Sequence, residues 1–248
     1  MTSGIFKPLF LVLLSSSFLL TCGIEDYPVI NAIPQSNIIQ VMNNRATVRI
    51  PNNYSDSPFS HFAVFYRIYV SNVPQASTTE NTYSVINSVL ASDYNSFRGY
   101  IDSTTHVNVN MDSLFQGRGY KYLALQDRNI FSVLGTSVLG TIVEFDFSSS
   151  RAPTMTANYT TYTLWRSDGS GIFSPQPNRL FINRPELSRA ENINNMINAD
   201  VVNKSGITAE ERHYTYAALF IAAVGINSST YSEIYSTPSL IHVFQLPD

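Results

Sequence analysis

Two apolar stretches far apart in the chain set the strongest limit on what it can fold into. In Phe62-Ala-Val-Phe-Tyr-Arg-Ile-Tyr-Val70, Phe62, Val64, Tyr66, Ile68 and Val70 fall on one face of a strand, and Ala63, Phe65, Arg67 and Tyr69 on the other. From Tyr214 to Val224, Tyr214, Tyr216, Ala218, Phe220, Ala222 and Val224 alternate in the same way. Ala217, Ala218, Ala222 and Ala223 would also suit a helix. The period of two decides for a strand, and Gly225-Ile-Asn-Ser-Ser229 then reads as a hairpin loop into a partner over Tyr231 to Phe244.

Shorter segments extend the β-pattern. Pro28 to Pro34 reads as an edge strand bracketed by prolines. Ile38 to Ile50 is broken at Asn43-Asn44, and its second half alternates Ala46, Val48 and Ile50 with Thr47 and Arg49. Residues 51–58 form a turn cluster. His106 to Met111, Tyr120 to Leu125, Gly140 to Phe147, Tyr159 to Trp165 and Arg179 to Asn183 are further strands, and Ser167 to Gly171 is a turn. Two segments change to helical spacing. One is 79–97, through Tyr83, Ile86, Val89, Leu90 and Tyr94. The other is 189–201, opened by the capping-box spacing of Ser188 and Glu191 and continued by Ile193, Met196, Ile197 and Val201.

The beginning of the chain carries an address. Leu9 to Leu20 is an uncharged run behind Lys7, which is the layout of a secretory signal. It is too short to span a bilayer, which takes about 20 apolar residues. The single cysteine, Cys22, follows directly. Leu19-Leu20-Thr21-Cys22 resembles the lipobox of bacterial lipoproteins, which implies a diacylglyceryl group on the Cys22 thiol and removal of residues 1–21. Two acyl chains give stable attachment where one does not. Residues 22–27 would then be a tether spanning about 20 Å when extended, and 28–248 the folded domain. The expected location is the cell envelope, on a bacterial membrane at the outer-membrane surface or the periplasmic side.

The last two strands carry a second likeness. Tyr216-Ala-Ala-Leu-Phe-Ile-Ala-Ala-Val224 and Tyr231-Ser-Glu-Ile-Tyr-Ser-Thr-Pro238 are similar to the closing strands of a fibronectin type III domain. That resemblance implies a mainly β fold, an immunoglobulin or fibronectin III-like β-sandwich, with a large insertion at about 75–212 holding one or two short helices. Two sandwich-like halves in tandem are the alternative arrangement. From the lipobox through Gly23-Ile-Glu-Asp-Tyr-Pro28 to Phe244-Gln-Leu-Pro247, the chain also resembles spirochaete lipoproteins.

Composition narrows the function. The processed chain loses only Lys7, leaving 14 basic and 18 acidic residues and a net charge of −4. Twelve scattered arginines make no basic face, so nucleic acid is not an expected partner. With one cysteine, burial rather than an internal disulfide must stabilise the fold. His61, His106, His213 and His242 show no metal-ligand spacing, and no zinc, phosphate-loop or nucleophile-elbow motif occurs. Glu144 and Asp146 share a strand face and could suit Ca²⁺ or paired acid and base work, though a solvated strand face explains them as well. The Asp168-Gly-Ser-Gly171 turn lacks the carboxylates of a calcium loop.

The fifteen Tyr and fifteen Phe should mostly fill the core and sheet faces, and the functional version is a binding face at Tyr159, Tyr162 and Trp165 for a protein or carbohydrate ligand. The sequence therefore predicts a lipid-anchored, non-catalytic binding or structural module without cofactor or metal. An envelope hydrolase using acidic residues and a transporter's solute-binding lipoprotein are the rival classes.

Overall fold

Period-two alternation produces the two longest strands, and their pairing is the spine of the molecule. In a computed structural model of the protein, the described residues are 30–41, 44–54, 58–71, 119–148, 152–166, 201–203 and 214–246. Strands β1 (Ile38–Val41), β2 (Arg45–Arg49), β3 (Phe59–Ser71) and β4 (Lys121–Leu125) precede a one-turn helix α1 (Ile130–Val133). They are followed by β5 (Ile142–Asp146), β6 (Thr154–Ala157), β7 (Thr160–Arg166), β8 (Val201–Asn203), β9 (Tyr214–Ile226), β10 (Glu233–Tyr235) and β11 (Ser239–Gln245).

β3 and β9 pair antiparallel along their whole lengths, from Phe59 opposite Gly225 to Ser71 opposite Tyr214. Their inward residues are Phe62, Val64, Tyr66 and Ile68 on β3 and Ala217, Leu219, Ile221 and Ala223 on β9, all in the main core. Ala63, Phe65, Tyr69, Tyr216, Ala218, Phe220, Ala222 and Val224 face the other way and are also buried, in a second cluster. The alanines have a reason: Phe62 lies opposite Ala223 and Ile68 opposite Ala217, so large side chains meet small ones across the ladder. A helix of the same composition would leave these backbone groups without their partners on β3 and β11.

The strands form one mainly antiparallel sheet in the order β1-β2-β5-β6-β7-β4-β3-β9-β10, with β11 also on β9 and β8 parallel to β3. The sheet curls into a half-barrel around its core, bringing β11 near β1 and β2. Phe147, just past β5, stacks on Phe244 of β11 at 4.2 Å between ring centroids. Asn44 then ties the edges together. Its φ of +62° is tolerated by asparagine better than by most residues. Its side-chain amide donates to the Phe147 carbonyl at 2.8 Å and to the Gln245 carbonyl, while its oxygen accepts from the Gln245 amide at 3.0 Å. Gln35 donates to the Leu240 carbonyl and Ser239 to the Ile33 carbonyl, so side chains satisfy strand edges where no ladder closes.

Two expectations change. Residues 30–34 are irregular rather than an edge strand, because their carbonyls are taken by side chains: Tyr54 donates to Asn31 and Ser239 to Ile33. Ile30 and Ile33 are buried nonetheless. The helix expected to end at Val201 gives way there to β8. Within the span read as an insertion, β4 to β7 belong to the same sheet and core as β3 and β9. The expected helix over 79–97, the strands at 106–111 and 179–183, the turn at 167–171 and the rest of the second helix lie outside the described residues, as does everything before Ile30. Among the described residues no helix is long and apolar enough to cross a membrane.

Antiparallel pairing gives the sheet two ends. One carries the β2–β3 connection, residues 126–141, the β6–β7 turn and the β9–β10 loop. Ile30 sits at this end too: a Cβ on Gly225 would overlap Ile30 Cδ1 and the Pro58 carbonyl, so glycine there allows the close approach. The other end carries Asn44, Ser148 and the start of β4.

Candidate functional site

The strand face that could have suited Ca²⁺ or acid and base work, and that a solvated face explained as well, carries an ion pair. Ile142, Glu144 and Asp146 do share the outward side of β5. Register puts Arg45 of β2 opposite Asp146, and its guanidinium bonds the Asp146 carboxylate at 2.7 and 2.9 Å while lying 3.9 Å from Glu144. Ser148 donates to Asp146 through both its amide and its hydroxyl. Burial works to raise the Asp146 pKa, but the Arg45 and Ser148 bonds outweigh it and hold the carboxyl below its ordinary range. The group is an ion-paired, hydrogen-bonded carboxylate. Arg45→Gln should cost less than about 1 kcal/mol, since the pair is half exposed, and should move the Asp146 titration upward by carbon-detected NMR.

The three rings expected to form a binding face do not share one. Asn158-Tyr159 is the tight β6–β7 turn, with φ of 49° and 61°, and Tyr159 is fully exposed at its tip. Tyr162 lies opposite Met155 and packs against the core from within, with Arg128 over its ring at 5.9 Å. Trp165, three residues on, is on the other side of β7 and buried.

A different constellation is assembled on the outer side of β3, β9 and β10. Val224 is flanked in the ladder by His61 and Tyr235. Tyr122 of β4 and Tyr235 of β10 lean toward each other over the two intervening strands and meet hydroxyl to hydroxyl at 2.8 Å. Tyr235 donates to the Glu233 carboxylate at 2.5 Å. Phe65 packs on Tyr122 at 4.7 Å, Tyr122 on Phe131 at 5.4 Å and Phe131 on His61 at 4.6 Å, a continuous aromatic floor. His61 also lies beside the Ser60 hydroxyl.

Environment sets the protonation states. Burial, then the bonds to Glu233 and Tyr122, push the Tyr235 phenol far above its usual pKa, so it stays a hydrogen-bond donor. Burial lowers the His61 pKa against the opposing pull of Glu233, which favours a neutral ring at pH 7. The cluster thus offers a carboxylate, two phenols and an imidazole on apolar rings. This mixture suits hydrogen bonding and stacking to a polar organic ligand rather than proton abstraction.

Sequence reasoning missed this set because its members are brought together by register. One signal was available: Glu233 and Tyr235, two apart in Tyr231-Ser-Glu-Ile-Tyr235, must share a strand face. His242 lies elsewhere, buried against Phe244, and burial pushes its pKa down to about 4. His106, His213 and Cys22 are outside the described residues. Among the described residues no group of three or more His, Cys, Asp and Glu is placed to hold a metal ion. No family model matches the chain, and neither a curated protein nor a solved structure does.

Proposed function

We propose that this chain is a lipid-anchored protein of a bacterial cell envelope, acting as a non-catalytic binding or structural module close to a membrane. The observation that carries the reading is the uncharged run from Leu9 to Leu20 ending at the single cysteine, Cys22. Supporting it, Ile30 is already buried in the core, only eight residues further on. At about 3.3 to 3.6 Å per residue, the domain is held within about 28 Å of the lipid. The ligand-facing part of the proposal is the His61, Tyr122, Glu233 and Tyr235 cluster, whose groups suit a polar ligand such as a carbohydrate or a protein side chain.

The finer architecture, an immunoglobulin or fibronectin III-like sandwich, belongs to the same proposal. Its support is that the curled sheet sets β9 and β11 across one core from β2 and β5, as the two layers of a sandwich stand. Fatty-acid labelling of cells producing the wild type and Cys22→Ala tests the anchor. Label in the wild type and none in the variant is the expected result, and an unlabelled wild type would sink the reading. Protease treatment of intact cells then separates a surface role from a periplasmic one.

A further inference from the structure

We infer that the domain stands end-on on the bilayer, with the tips of the β6–β7 and β9–β10 hairpins seated among the lipid headgroups. The inference rests on the Cys22 anchor proposed above and adds an orientation and a lipid-contacting surface to it. Among the described residues, the large hydrophobic side chains left exposed are Ile39, Ile142, Tyr159, Ile226 and Tyr231. All but Ile39 lie at one end of the sheet: Tyr159 and Tyr231 in the two connections, Ile142 opening β5 and Ile226 closing β9. Tyr159 and Tyr231 are 105% and 86% exposed, the extremes of that set.

Their backbone makes the choice of residue more telling. Tyr159 has φ of 61° and Tyr231 of 55°. For Tyr159, the second position of a two-residue turn with both φ positive, glycine is favoured, and for Tyr231 a left-handed φ in a longer loop is likewise costly for a tyrosine. Neither ring recovers this by packing. A phenol at such a tip suits an environment with an apolar side and a wet side, which is what a headgroup layer offers.

The described chain begins at the same end. Ile30 lies against Gly225, the neighbour of Ile226, and only eight residues separate Ile30 from Cys22. A tether of at most about 28 Å reaches the membrane from this end without crossing the sheet, and the exposed tyrosines at the same end decide the orientation. Charge does not favour the contact: among the described residues, Arg49 and Arg128 at this end are matched by Asp127 and Glu233. The seating should accordingly depend little on salt.

The test uses full-length acylated protein in vesicles of phosphatidylcholine and phosphatidylglycerol. A fluorophore is attached in turn through Tyr159→Cys, Tyr231→Cys or Ser148→Cys, the Cys22 sulfur being blocked by its own thioether. Ser148 is exposed and lies six residues along from Ile142, about 20 Å farther from the proposed contact. Lipids with a nitroxide near the headgroup should quench the labels at 159 and 231 several-fold more than the label at 148, at low and high salt alike. Equal quenching at all three sites on protein that floats with the vesicles would overturn the orientation while leaving the anchor intact. Protein that does not float at all would overturn the anchor, and the orientation with it.

Discussion

Phe244→Ala should destabilise the protein by about 3–5 kcal/mol, the usual range for removing a buried phenylalanine. Phe244 is completely buried, stacked nearly parallel on Phe147 at 4.2 Å and edge-on to His242 at 4.8 Å. Its ring joins β11 to the end of β5 across the curl of the sheet, where no continuous ladder runs. The residual cavity would lie beside the Asn44 bonds to Gln245 and Phe147, so these weaken with it. Urea unfolding of the variant measures the loss. A decrease below about 1 kcal/mol would mean that this edge is not held through the core.

Acid should destabilise the fold well before its carboxylates are protonated. Burial lowers the His242 pKa from 6.5 to about 4. Above pH 6.5 the ring is neutral in both states and nothing is gained or lost. Between pH 6.5 and 4 the unfolded chain binds a proton that the folded one refuses, so stability falls as pH falls through this window. The difference amounts to about 3 kcal/mol at its full extent. His61, also lowered by burial, adds to the same slope, whereas the depressed Asp146 acts only below the ordinary carboxylate pKa. Urea midpoints from pH 7.5 to 4 should decline in the wild type. In His242→Leu the decline should flatten but not vanish, because His61 remains.

Much of the sheet was legible because alternation is a local signal. The partition of β3 into Phe62, Val64, Tyr66 and Ile68 against Ala63, Phe65 and Tyr69 follows from period two alone, and the two buried clusters divide it in that way. The break at Asn43-Asn44 and the long apolar strand from Tyr214 were equally readable, although β9 runs two residues past the expected Val224 to Ile226. The four-residue elements β6 and α1 were not. β6 is Thr-Met-Thr-Ala, with no propensity signal of its own, and is a strand because β5 and β7 pair with it on both sides. The single turn of α1 is set by Asn129, whose side chain caps the Phe131 amide.

The candidate site was the least legible part, for a related reason. Arg45 and Asp146 meet through β2–β5 register, and His61 and Tyr235 through their common neighbour Val224 on β9. Register joins distant residues, and no local spacing records it. Tyr159, Tyr162 and Trp165 looked like a group because they are close in sequence. Strand geometry separates them, since an offset of three places Tyr162 and Trp165 on opposite faces.

The proposed membrane-proximal role depends most directly on the chemical state of Cys22. Intact-mass spectrometry of the protein recovered from its native host measures that state. The expected result is a polypeptide beginning at Cys22 and heavier than its residues by at least a diacylglyceryl group, in the membrane fraction. An unmodified polypeptide beginning beyond residue 22 and recovered in the soluble fraction would contradict it.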